Sequence, residues 1–171
     1  VQDYLLRKIG FEIIKNSKQR GSGKSGMMHI SQCSPEILNR TACQINERNG
    51  EITIRMEIGF LANGRTINSG ELDKIIFSIL PEIVNKTFLY KNMKIAELDQ
   101  VVCLAEHQFF IRNEMKKRGL IAFIADNSIL PRKSGISQEP LKNAVPFKSP
   151  ESMRVKIDLP DGKSVYGMGI L

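Results

Sequence analysis

Two stretches of the chain carry residue types suited to holding phosphate. GSGKSG, residues 21–26, combines a glycine-rich backbone, whose amides can point at phosphate oxygens, with the added charge of a lysine. ILPRKSG, residues 129–135, couples a rigid proline to two cations, a hydroxyl and a glycine. The candidates for anion, nucleotide or nucleic-acid contact are therefore Gly21, Gly23, Lys24 and Ser25 in the first stretch, and Arg132, Lys133 and Ser134 in the second. GSGKSG does not meet the GxxxxGK[ST] pattern of a nucleotide-hydrolysing phosphate loop, because Lys18 stands where the first glycine belongs. Its surroundings differ as well: KNSKQR precedes it and the strand-like MMHIS follows, whereas a phosphate loop joins a buried strand to a helix. A bare flexible glycine loop, and a solvated loop at 129–135, are the plain structural alternatives.

No catalytic constellation emerges. The two histidines, His29 and His107, are too few to supply a base and its partners, GxSxG is absent, and Glu106 beside His107 reads as a helix surface rather than an acid–base pair. Cys33, Cys43 and Cys103 are odd in number and form no CxxC, so neither a disulfide framework nor a zinc site is expected and no metal ligands are assigned.

The elements that position these stretches follow from periodicity. Tyr4, Leu5, Ile9, Ile13 and Ile14 recur at helical spacing over residues 1–14. Residues 27–31 suggest a short strand, and 41–58 a β-hairpin around Asn49-Gly50, the pair that best tolerates a type I′ turn. Its second arm alternates, with Ile52, Ile54, Met56 and Ile58 on one face. From Leu72 to Phe88 the stripe is helical, with Asn68 and Glu71 as a capping box and Pro81 predicting a kink or break. A further helix spans about 96–118 and ends at Gly119. LIAFI, residues 120–124, reads as a fully buried strand. The following segment to residue 152, with Pro131, Pro140, Pro146 and Pro150, reads as a long functional or linking loop. Residues 153–170 then form a second hairpin at Asp161-Gly162. The expected class is α+β: a mixed, largely antiparallel sheet with hairpins, covered by two or three amphipathic helices.

Composition bounds the function. The 171 residues carry 25 Lys+Arg against 18 Asp+Glu, a net charge of +7, with 42% hydrophobic and 25% charged residues. That is an ordinary globular balance, with no membrane-length apolar run and no signal peptide, so a cytoplasmic protein without membrane partners is expected. The charge is uneven: between Ile13 and Pro35 lie Lys15, Lys18, Arg20 and Lys24 and no acid. Three tyrosines and no tryptophan offer little for base stacking.

Read in order, GSGKSG, PEILNRTA (35–42), MEIGFLANGR (56–65), GLIAFIADNSILPRKSG (119–135), NAVPFKSPESMRV (143–155) and GMGI (167–170) resemble the ATPases of the ABC class, a soluble family related to ABC-transporter ATPases. The resemblance covers nearly the whole chain. It implies a non-catalytic N-terminal accessory domain over 1–150 and the first hairpin of the ATPase domain over 151–171. Walker A, Walker B and the signature motif would lie downstream, so the chain alone is expected to be inactive, with no cofactor of its own. ATP and Mg2+ would belong to the full-length protein. The chain opens on Val1 and closes on GMGIL, and both ends read as cut. Two departures stand out: His107 where the family commonly has an acid, and Leu171 where it has proline. The partner implied is the protein's own downstream ATPase domain. Nucleic acid bound through the basic loops, and a second copy of the chain in a dimerisation scaffold, are the alternatives.

Overall fold

A computed structural model describes residues 1–171. The chain divides into two compact units, 1–101 and 102–171. The class is α+β, and every strand pairing is antiparallel. The expected sheet is divided, however, into three two-stranded pieces and one of three strands.

In the first unit, helix α1 spans Gln2–Asn16 and buries Leu5, Leu6, Ile9 and Ile13. Ile14, expected on the same stripe, is instead exposed. Asp3 is buried near the helix start, and Arg7 one turn on pairs with it at 2.6 Å. The Arg7 guanidinium also donates to the Ser34 carbonyl at 2.6 Å, which fastens the segment after β1 to the helix. Strand β1 (Met28–His29) pairs with β4 (Glu57–Ile58), and β2 (Cys43–Ile45) with β3 (Ile52–Ile54). Both strands of the expected hairpin are present, but its turn is not type I′. Six residues separate the strands. Asn46 and Asn49 side chains accept from the amides two residues on, and Gly50, not Asn49, takes positive φ. The alternation of Ile54, Met56 and Ile58 toward the core survives although the strand breaks at Arg55 to change partners. Strands β5 (Ala62–Asn63) and β6 (Thr66–Ile67) form a tight hairpin.

Helix α2 (Ser69–Lys74), a π-helical segment (Ile75–Ile79) and α3 (Leu80–Phe88) run on without interruption. Pro81 stands in the first turn of α3, so the expected second helix begins there, directly behind the π-helical turn. Its missing N–H deprives Phe77 of an i+4 donor, and the turn widens so that the Leu80 amide reaches the Ile75 carbonyl. Asn68 caps α2 by accepting from the Glu71 amide, but Glu71 does not close the box; its carboxylate goes to Arg20 and Lys74. The core of this unit comprises Leu6, Ile13, Met28, Cys43, Leu61, Ile75 and Ile83. Each large aliphatic side chain among them contributes roughly 2 kcal/mol by leaving water.

Helix α4 (Ile95–Lys117) begins in the first unit, where Leu98 and Val101 pack on that core, and continues into the second. It buries no residue fully, unlike the amphipathic helix expected. Its end has the expected glycine: Gly119 takes φ +68, and the Gly119 and Leu120 amides return to Lys116 and Met115 carbonyls. Within the second unit, β7 (Ala122–Ala125), β9 (Ser164–Ile170) and β8 (Arg154–Asp158) lie in the order β7-β9-β8, around Ile157 and Leu159. LIAFI is thus not fully buried: Ile121 is exposed ahead of the strand, and Ala122–Ile124 are half-buried in β7, which lies at the edge of the sheet. The division expected after residue 150 falls inside this unit, where β7 before that point is hydrogen-bonded to β9 after it. No helix is long and apolar enough to cross a membrane.

Candidate functional site

The GSGKSG turn sits between α1 and β1 and is held from two sides. Arg20 lies beneath it with its side chain only 13% exposed, donating to the carbonyls of Asn16, Lys18 and Gly26 and pairing with Glu71 at 3.3 Å. On the other side runs the 59–64 segment. The Ser25 hydroxyl donates to the Phe60 carbonyl at 3.0 Å and accepts from the Ala62 amide at 2.8 Å. Ser22 accepts from the Gly64 amide at 3.1 Å and its own amide donates to Ala62. The Gly26 amide donates to Gly59 and the Gly59 amide to Met27, both at 2.8 Å. Gly21 packs so closely on the Ala62 carbonyl that a side chain there would collide with it.

A phosphate loop would offer its serine hydroxyl to a metal ion and open a helix. Here Ser25 is buried and its hydroxyl is committed to backbone, and β1 follows. The turn therefore does not fit a metal-bound nucleotide in the phosphate-loop manner. Of the predicted contacts in this stretch, Gly21 and Ser25 build the turn. Lys24 is exposed and makes no ion pair, and neither the Gly23 nor the Lys24 amide has a protein acceptor. Arg20, counted among the basic residues of the sequence, is a structural cation.

In the second unit, the two family-like segments around ADNS and AVPFKSP come together. The Asn127 amide donates to the Phe147 carbonyl at 2.8 Å and the Phe147 amide to Ser128 at 2.9 Å. The Ser149 amide donates to Asp126 at 2.7 Å, and Arg154 pairs with the same carboxylate at 3.2 Å. Ser149, then Arg154, hold the Asp126 carboxyl below its ordinary range. Arg154 also stacks over Tyr166, 4.8 Å from the ring centre. Asp126, Phe147, Lys148, Arg154, Ser164 and Tyr166 line an open cleft of about 510 Å³. The sequence did not signal it, because its walls come from four separate segments joined only by the fold.

The LPRKSG loop leaves this region as a closed excursion. The Lys133 amide donates to Glu139 and the Leu141 amide to Pro131, each at 2.8 Å. The Lys133 ammonium is matched by Glu139 at 2.8 Å, so its charge is locally balanced. Arg132 and Ser134 are exposed, and Arg132 has no carboxylate partner. The predicted candidates thus fall in different units: Gly21, Gly23, Lys24 and Ser25 in the first, Arg132, Lys133 and Ser134 in the second.

Comparison with known proteins also divides the chain in two, about ten residues before the boundary between the units. Residues 1–91 match the family described as the N-terminal domain of ATPases of the ABC class, and residues 94–171 match the P-loop domain of ABC ATPases. No curated protein matches the chain significantly. With one family domain covering more than half of its length and its companion following directly, the chain belongs to the ATPases of the ABC class.

Proposed function

We propose that these 171 residues are a non-catalytic N-terminal region that supports ATP binding and hydrolysis performed by P-loop and Walker B elements outside them. The observation that carries this reading is the pairing of two matched ATPase domains with a sequence that contains no GxxxxGK[ST]. The nearest approach to that pattern, GSGKSG, spends its serine hydroxyls on its own backbone. Mg2+ and ATP are the ligands of the complete protein, and its remaining ATPase domain is the partner of this chain. ATP turnover tests the reading: the chain alone is expected to release no phosphate from Mg·ATP above background, and sustained hydrolysis by it overturns the proposal.

A second reading, nucleic-acid binding, is favoured by the exposed cations left without carboxylate partners. Lys18 and Lys24 are of this kind in the first unit, and Arg132, Lys142 and Lys148 in the second. Contacts of this kind go to phosphates and weaken steeply with salt. On this reading Lys24→Ala together with Arg132→Ala lowers the affinity for single-stranded RNA at low salt, and reduces the slope of log K against log salt by about 2. Unchanged binding by the double variant counts against it.

A further inference from the structure

Helix α4 and the β8–β9 turn of the second unit bring together three side chains that the ATPase reading does not use. Cys103 and His107 are four residues apart on α4, hence one above the other on the same face. Asp161 comes from the turn between β8 and β9. The Cys103 Sγ lies 3.4 Å from His107 Nε2, and the same nitrogen lies 3.3 Å from Asp161 Oδ2. One ligand atom from each residue falls within 4.8 Å of the others.

The two separations at the imidazole nitrogen are those of ligand pairs around one tetrahedral ion, and a small movement of the exposed Asp161 turn closes the third. Zinc bonds of about 2.3 Å to sulfur and about 2.0–2.1 Å to nitrogen and oxygen place S and N about 3.6 Å apart, and N and O about 3.3 Å apart. Ordinary packing and a His–Asp ion pair account for any one of the two contacts. Together they bring a thiol and a carboxylate to the same imidazole nitrogen, the arrangement that a shared ion would use. Cys103 and His107 are half-buried while Asp161 is open to solvent, so the ion has a sheltered side and a route in. The one competing contact is Lys163 Nζ, 3.0 Å from the Asp161 oxygen; its long side chain is 75% exposed and free to swing away.

We propose that Cys103, His107 and Asp161 form a site for a borderline-soft divalent cation of the zinc class, with the fourth position left to water. Binding converts the Cys103 thiol to a thiolate, with its proton passing to solvent, and leaves His107 neutral. The ion pins the β8–β9 turn to α4 and so closes the second unit around Ile157 and Leu159. The sequence hid this site because only a Cys-x3-His pair is local, and the third ligand comes from a turn 54 residues further on.

The test uses the whole chain, reduced, stripped with a chelator and titrated with Co2+ and Zn2+. The expected result is one ion per chain, a thiolate-to-cobalt charge-transfer band, tetrahedral d–d bands that zinc abolishes, and a melting temperature raised by zinc. Cys103→Ser is expected to abolish the charge-transfer band. His107→Ala and Asp161→Asn each weaken zinc by at least about tenfold, the lower end of what loss of even an outer partner costs such a site. Cys33→Ser, a thiol on the other unit, leaves all of these unchanged. Asp161 is exposed on a turn, so its variant remains informative should Cys103→Ser fail to fold. Binding only at millimolar metal, no thiolate band, or equal affinity in Asp161→Asn overturns the proposal.

Discussion

Gly59→Ala is expected to destabilise the first unit by about 3 kcal/mol, the upper part of the range for overpacking a closed site. A methyl group at residue 59 would be driven into the Lys24 carbonyl, a backbone atom that cannot turn aside. Two hydrogen bonds fix that approach, Gly26 N–H to Gly59 and Gly59 N–H to Met27, both at 2.8 Å. Relief therefore requires the GSGKSG turn to separate from the 59–64 segment, and with it the buried Leu61 to lose its packing. Urea denaturation checks this, with the midpoint falling and the slope unchanged. Gly70→Ala supplies the opposite sign: Gly70 lies in α2 with open space around it, so alanine there should stabilise by about 0.5–1 kcal/mol through helix propensity. A midpoint unaltered by Gly59→Ala would mean that the turn is not docked as described.

Ser25→Ala is expected to cost about 2 kcal/mol, and to do so without any ligand present. The hydroxyl is 5% exposed at residue level and serves two backbone groups at once, the Phe60 carbonyl and the Ala62 amide. Removing it leaves both unpaired beneath the turn, and the penalty for such stranded groups runs to about 1–3 kcal/mol. Ser22→Ala should cost less than 1 kcal/mol, since Ser22 is exposed and water can replace it. The contrast separates two roles that sequence alone leaves together. A serine that contacts phosphate would change ligand affinity and spare stability. A serine that fastens the turn changes stability first, and thermal melts of the two variants read the difference directly.

How far the sequence carried depends on whether the determining contact is local. The α1 stripe apart from Ile14, the α4 cap at Gly119 and the β8–β9 hairpin rest on residues within a few positions of each other, and they stand where the local pattern placed them. Asn68 capped its helix for the same reason. Glu71 did not complete the box because Arg20, 51 positions earlier, offers its carboxylate a charged partner. The Pro81 region shows a subtler limit: the missing amide is legible in the sequence, but its accommodation by a wider π turn is not.

The proline-rich segment shows the same limit in the second unit. A proline-rich stretch without periodicity looks like a linker, yet residues 126–149 are tied back to themselves by the Asn127–Phe147 and Asp126–Ser149 bonds. Those bonds span about twenty residues and have no local signature. The same reason hid the cost structure of GSGKSG. Its composition suggested exposed anion donors, whereas Ser25 and Gly21 are consumed by contacts to residues 60 and 62, and Lys24 alone of its side chains is left charged and free. Charge counting likewise credited Arg20 and Lys133 to a binding surface, although Glu71 and Glu139 already answer them.

The supporting, non-catalytic role is tested most directly by phosphate release from Mg·ATP, measured side by side for the 171-residue chain and for a longer protein that carries a GxxxxGK[ST] loop. The longer protein is expected to turn ATP over and the chain to release no phosphate above background. Steady hydrolysis by the chain itself, abolished by Lys24→Ala, would contradict that role.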